Sequence, residues 1–593
     1  MKKQKQAAET EETLSAAIDD RISHLPRIIL HHILCFLSQK EAVRTCLLSK
    51  QWRHIGTTRP NLEFFDIWFD DTQERFVPVL NLEFFNKWFD DTQERFISVL
   101  DRTLQGYLDQ NLSIHKLHLH LWIHDSRRVI SLLHQWIPTI AALNIKAFKL
   151  HFHSFFPAYY DLPSTVFLAE SLEELHLCDC KLSPVEGVRF KHLHTLTLER
   201  VQVDGGTLGT KTLECPLLRR LVLNICWELR NVWLSDAPGL KHFVLSDYER
   251  IEGRMIEIDV PNIETIFING LWIWSHHRSP LLFSRLTSLH LRNVILSSES
   301  IDMLSFGCPI LESLALLNCS GFEEFHLASD SVKFLRLSIR DILVKGVTIC
   351  APNILNFMII ACIPQALDTF SFTTTTSKEW DSYVILYLCE DDPYFNVNSW
   401  FIRRMLEPLS GSRIDLTLHM NCGRGLGVPC GAVDDSHLLC DEPPLVVENL
   451  EFGNGKWRTQ SWYLDFTKDL FRVCRPRHVW DRRPMSNSGV ARNRRLSDFQ
   501  FNILLASMSL GTFWRHDLEQ VHVKTVDGEK WQLVEWTDLS ELQNGTYDGV
   551  ICVKLKWRGQ NCETGRMDEP FRFSFSPGLG LYSFISGLSY KIE

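Results

Sequence analysis

Nine short segments of one pattern fill the middle of this chain: LEELHL at Leu172, LHTLTL at Leu193, LRRLVL at Leu218, LKHFVL at Leu240, IETIFI at Ile263, LTSLHL at Leu286, LESLAL at Leu311, VKFLRL at Val332 and ILNFMI at Ile354. Their fourth residues, Leu175, Leu196, Leu221, Phe243, Ile266, Leu289, Leu314, Leu335 and Phe357, lie 21, 25, 22, 23, 23, 25, 21 and 22 residues apart. So narrow a period predicts a solenoid in which each turn stacks on the next. Within a segment the apolar residues alternate, so two side chains leave one strand toward a shared interior and the residue between them points away. No turn can bury its inner face alone. HKLHLHL near Leu117 and FKLHF near Leu150 read as weaker opening strands.

Proline recurs just before the strands, as Cys215-Pro216, Ala237-Pro238, Val260-Pro261, Cys308-Pro309 and Ala351-Pro352. This resembles the leucine-rich repeats of plant F-box proteins. The N-terminal run DRISHLPRIILHHILCFLSQKEAVRTCLLSKQWRHI resembles the F-box itself. Pro26 suits a helix start and the apolar residues after it form a stripe. Ser38 with Glu41 has capping-box spacing for a second helix, and Ser49 opens a third through Trp52. The resemblance implies a module that binds the Skp-type adaptor of an SCF ubiquitin ligase, itself held by a cullin carrying the RING subunit. It places adaptor contacts on Leu25, Pro26, Ile29, Leu30, Ile33, Leu34, Val43, Leu48 and Trp52. Arg27 departs from the family, which more often has an acidic residue there.

The expected fold is an α+β multidomain chain: a helical F-box, a leucine-rich-repeat solenoid with a curved parallel sheet, and a C-terminal mixed α/β cap. The expected division is a disordered tail at 1–17, the F-box at 18–60, a linker at 61–110, the solenoid at 111–420, an irregular basic linker at 421–495 and the α/β region at 496–593. The linker holds a tandem duplication, NLEFFDIWFDDTQERFVPVL followed at once by NLEFFNKWFDDTQERFISVL, identical at 16 of 20 positions. Twenty residues turn an α-helix by about 200° beyond whole turns, so one helix cannot present both copies on one face. The first copy, 61–80, reads as surplus, and its removal is expected to cut no ladder strand. Toward the C-terminus, LEQVHVKTVDGEKWQLVEW reads as a hairpin across Asp527-Gly528.

The outward residues of the nine strands are His176, Thr197, Val222, Val244, Phe267, His290, Ala315, Arg336 and Met358. Val222, Val244 and Phe267 are consecutive and apolar, and Trp272 and Trp274 follow the Phe267 strand. These five are the candidate substrate-binding residues, with the chain's own 496–593 region as the alternative cover.

The balance of 62 basic against 72 acidic residues, net −10, argues against a nucleic-acid-binding protein as a whole. Arg472, Arg475, Arg477, Arg482, Arg483, Arg492, Arg494 and Arg495 leave phosphate contact as a local alternative. The 17 cysteines include no CxxC pair, so no metal site is expected, and no cofactor either. No long apolar span or signal-like N-terminus occurs, which predicts an intracellular protein, nuclear or cytoplasmic, without membrane contact. No GxSxG, HExxH or dinucleotide fingerprint organises the 24 histidines, so a non-catalytic adaptor with an unknown protein substrate is expected, or else a repeat scaffold outside a ligase.

Overall fold

The structure is a computed structural model. It describes residues 25–65, 82–123, 127–154, 160–182, 190–203, 207–209, 215–247, 251–274, 283–339, 343–363, 369–375, 379–388, 395–419, 443–453, 460–482, 516–525, 532–534 and 550–558, apart from a few positions inside these stretches. The tail at 1–17, Ser38, Ser49, the 483–515 segment and the last 35 residues lie outside them. Two compact units divide the chain at 295/296.

The first unit opens with three short helices, α1 (Arg27–Cys35), α2 (Gln39–Thr45) and α3 (Lys50–Thr57). A strand, β1 (Asn61–Phe65), and a long helix, α4 (Leu82–Asp109), come next. The ladder continues with β2 (Lys116–Ile123), then α5 (Arg127–Ala142), β3 (Ala147–Ser154), β4 (Glu174–Cys178), β5 (Thr195–Glu199), β6 (Arg220–Asn224), β7 (His242–Ser246), β8 (Thr265–Asn269) and β9 (Ser288–Arg292). All nine strands pair in parallel, in sequence order and in register. Leu62, Leu117, Phe148, Leu175, Leu196, Leu221, Phe243, Ile266 and Leu289 form one continuous buried row across them. Each such side chain contributes roughly 1.5–3 kcal/mol of burial.

A second, shorter parallel ladder closes the other side of the core, through Thr207–Gly209, Asn231–Ser235, Met255–Asp259 and Ile273–Trp274. The one-strand-per-turn reading missed it. Its signal was the same alternation in shorter form, Val232 with Leu234 and Ile256 with Ile258, all buried.

Between the ladders the chain turns at a corner after each strand from β4 to β8. Asp179, Arg200 and Ile225 have φ of 56°, 49° and 54° there, and Gly270 has 142°. Each corner N–H donates to the carbonyl ending the next strand: Asp179 to Glu199 (3.0 Å), Arg200 to Asn224 (2.7 Å), Ile225 to Ser246 (2.7 Å), Asp247 to Asn269 (2.7 Å) and Gly270 to Arg292 (3.0 Å). A β-branched residue is strained in the left-handed region, whereas asparagine tolerates it. Ile225→Asn is therefore expected to stabilise the protein by about 0.5–1 kcal/mol, read as a higher urea midpoint at unchanged slope.

At the strand starts, lysine and glutamate alternate between neighbouring turns, Lys146 with Glu173 (2.9 Å) and Lys241 with Glu264 (2.7 Å). Exposed pairs of this kind contribute at most about 1 kcal/mol each. They favour the observed register over a slipped one.

The second unit repeats the design: α6 (Ser298–Phe306), β10 (Ser313–Leu317), β11 (Phe334–Ile339), β12 (Asn356–Ile363), β13 (Asp381–Leu388), α7 (Phe395–Leu406), β14 (Arg413–His419), β15 (Leu445–Gly453), α8 (Gln460–Val473) and β16 (Cys474–Arg482). Its long strands are parallel throughout. An antiparallel group ends it: β17 (Leu518–Thr525), β18 (Gln532–Val534) and β19 (Val550–Trp557), with β19 against β16 and β17. The expected hairpin is the β17–β18 pair, Val521 to Val523 against Gln532 to Val534.

Two expectations are corrected. The parallel ladder does not stop at 420, because β15 and β16 extend it in parallel after the glycine- and cysteine-rich stretch that hides it, with buried Leu450 and Val479 side by side beyond Leu416. And 61–80 is not free of ladder strands, because Asn61–Phe65 is β1 itself.

Candidate functional site

Pro26 is the N-cap of α1, where its missing N–H costs nothing. Leu30 and Leu34, one turn apart, pack with Ala42, Trp52 and Ile55 into a closed core, and Leu25, Ile33 and Leu37 lie against it. The opposite side is apolar too. Ile28 is 80% exposed, Ile29 44%, Phe36 77%, Leu47 83% and Leu48 68%. The candidate contacts therefore divide: Leu30, Leu34 and Trp52 hold the helices together, whereas Ile29 and Leu48 face solvent. Ile28, Phe36 and Leu47 are exposed without being among the expected contacts: Ile28 and Ile29, adjacent in α1, cannot both turn inward on one helical face, and Leu47 and Leu48 lie in the turn after α2. The Val43 side chain lies outside the described residues.

The helices join the ladder through a short, bonded link. The Pro60 carbonyl accepts the N–H groups of His115 (2.7 Å) and Lys116 (3.2 Å). Buried Arg59 donates to the Asn61 carbonyl, and the Tyr107 hydroxyl donates to the Arg59 carbonyl at 2.6 Å.

The outward row of the first unit runs Glu63, His118, Lys149, His176, Thr197, Val222, Val244, Phe267 and His290. Val222 and Val244 are buried, and Phe267 is partly so. In-register stacking is the physical reason: each residue has a neighbour on both sides, about 4.8 Å away. Trp272 and Trp274 are corrected outright. The chain bends at Gly270 and carries both indoles into the core, where Trp272 covers the Arg254 guanidinium at 5.2 Å. Arg254, fully buried, forms an ion pair with buried Asp247. A Cβ at Gly270 would meet the Asp247 carbonyl at 2.9 Å, so this corner requires glycine.

The N-terminal end of the same face is polar. Burial, with Lys149, His120 and His176 nearby, pushes the His118 imidazole down to about 4. The His176 imidazole, 3.6 Å from Glu199, holds that carboxyl below the usual range. His151, Cys178 and Asp179 bring their donor atoms together as a metal site would. A cation already sits there: the Arg200 guanidinium donates to both Asp179 oxygens (2.7 and 2.6 Å) and to the Cys178 sulfur (2.8 Å). Burial and the Asp179 charge raise the Cys178 thiol, leaving it protonated.

In the second unit the corresponding row is Ala315, Arg336, Met358, Tyr383, Asp415, Asn449 and His478. Asn449 donates to Asp415 (2.7 Å) and accepts from the Trp480 indole (3.1 Å). Among the described residues of the basic stretch, Arg472 pairs with Asp469, Arg475 with Asp517 and Arg477 with Glu448. No helix among the described residues is long and apolar enough to cross a membrane.

The F-box domain family model matches residues 22–63, which are the helices just described with the start of β1. The LRR domain of At1g61320/AtMIF1 matches 108–274, and the LRR repeats of the FBD-associated F-box protein At5g56370 match 271–366. The chain carries an F-box followed by leucine-rich repeats. Proteins similar to it include F-box/LRR-repeat and F-box proteins of Arabidopsis thaliana. At4g14103 is 32% identical over 253 residues, which cover 41% of this chain and 60% of that protein. At4g14096 is 29% identical over 253 residues, 48% of its length. F-box protein At5g03100 is 29% identical over 322 residues, 51% of this chain and 93% of that one. The chain thus spans less than two thirds of the first relatives it matches. The F-box ends where the ladder begins, and the Arg59–Pro60 link joins them.

Proposed function

We propose that this chain is the substrate-recognition subunit of an SCF-type ubiquitin ligase. Its F-box docks a Skp-type adaptor held by a cullin and RING subunit, and the outward face of its repeats holds a target protein. The observation that carries this reading is the exposed set Ile28, Ile29, Phe36, Leu47 and Leu48, on a module whose own core is already complete. An uncovered apolar surface on small helices marks an interface. The chain contributes proximity and orientation, and the reacting groups belong to its partners. For the target, the candidate part of the face is its Phe267–His290 end, where two partly exposed aromatic rings lie with centroids 6.4 Å apart. The ion pairs on Arg472, Arg475 and Arg477 leave less charge for phosphate than the sequence suggests, which disfavours nucleic-acid contact.

The test is adaptor binding by the full chain carrying Ile29→Asp with Leu48→Asp. Loss at an interface hot spot predicts binding weaker by about 30-fold, with an unchanged melting temperature because neither residue is in the core. Binding at wild-type strength by this variant would reject the docking role.

A further inference from the structure

We propose that the tandem duplication gives the chain two ways to fill the first position of its ladder, with Asn61–Phe65 or with the same five residues at 81–85. The pentapeptide NLEFF occurs at both places. In the structure the first copy is a strand in register with β2, Asn61 opposite Lys116 through Phe65 opposite His120. The second copy lies in α4 from Leu82 onward. Identical side chains bring identical strand pairing and identical burial, so the pentapeptide itself does not choose.

The connecting lengths permit both arrangements. Phe64 meets Phe96 edge-on at 6.4 Å. With Phe84 in place of Phe64, the 12 residues from 84 to 96 span up to about 40 Å when extended, ample for a fold-back. Among the described side chains of α4, the buried ones, Phe96, Leu100, Leu104 and Tyr107, lie beyond the part that unwinds. What favours the first copy is the residue pair before it. Arg59 and Pro60 make the bonded link to Asn61, His115 and Tyr107, whereas Val79 and Leu80 precede the second copy and supply no guanidinium.

The exchange changes the link between the two functional parts. With the second copy in the ladder, residues 61–80 become a 20-residue tether after Pro60, with an end-to-end distance of roughly 25 Å. The F-box then passes from held to tethered. On the docking role proposed above, one chain thereby presents its target at two reaches.

The test reads melting of the full chain without adaptor or target, so its failure leaves the docking role untouched. Three variants place aspartate on the strand's inward positions: Leu62→Asp with Phe64→Asp, Leu82→Asp with Phe84→Asp, and all four together. Exchange predicts that the first variant falls by no more than about 4 °C while the fourfold variant falls by at least about 10 °C. If the first variant melts as low as the fourfold one, the second copy does not substitute and the proposal is overturned. A fourth variant lacking 61–80 puts the second pentapeptide directly after Pro60 and is expected within about 3 °C of wild type. A fall to the fourfold level there overturns the proposal as well.

Discussion

Replacing Arg254 by methionine is expected to lower the stability of the first unit by about 3–5 kcal/mol, a fall in melting temperature of roughly 10 °C. Arg254 and Asp247 are both buried, paired with each other, and roofed by Trp272. Methionine keeps much of the stem's volume, so packing is largely conserved and the loss isolates the charge. Asp247 then keeps a buried carboxylate without its guanidinium, and the desolvation of that charge is no longer offset. The decisive comparison is Arg254→Met with Asp247→Leu. Removing both charges should recover most of the loss, since a paired charge in a dry core is worth little more than an apolar replacement. If Arg254→Met melts with wild type, the ion pair does not hold this corner.

The second expected result concerns pH. Asp415 sits on β14, and burial pushes its carboxyl up to about 7 against the partial relief of the Asn449 hydrogen bond and the Arg413 charge. Its folded value lies above its unfolded one, so the folded chain binds a proton that the unfolded chain releases. The resulting stability is fully present below about pH 4 and is lost as pH rises through about 7. Asp415→Asn keeps an acceptor for Asn449 and carries no charge. It should be more stable than wild type by about 2 kcal/mol at pH 8, allowing for residual solvent at the site, and nearly equal to it at pH 4. Parallel urea curves at the two pH values check this, and an equal difference at both would show that the carboxyl titrates normally.

The long strands were legible because period-two alternation with leucine on one face has few other readings, and the F-box helices because proline, caps and tryptophan occur together. The failures have separate causes. Trp272 and Trp274 looked like an outward extension of the Phe267 strand, but direction after a strand depends on the corner, and the φ of Gly270 is not visible in a one-letter code. The F-box contacts form one stripe in the sequence reading because a helix of nine residues with apolar groups on both sides offers only the narrow polar face of Arg27 and His31 to orient it. Residues 445–482 were read as linker because their alternation is short and follows a stretch rich in glycine, proline and cysteine. The two NLEFF segments set a firmer limit: the same residues form a strand against β2 in the first copy and are helical from Leu82 onward in the second, so their surroundings and not their own identity decide.

The corner hydrogen bonds also bear on how such a chain can change length over evolutionary time. The corner N–H after each strand from β4 to β8 is satisfied by the following turn, from Asp179 on Glu199 to Gly270 on Arg292. Loss or gain of one whole turn, strand with its corner, leaves each remaining donor facing an equivalent acceptor, because all turns end alike. Recombination that cuts within a turn leaves a donor and an acceptor out of step along the whole contact. The heritable unit of this ladder is therefore the stretch from one strand to the next, 21 to 25 residues here.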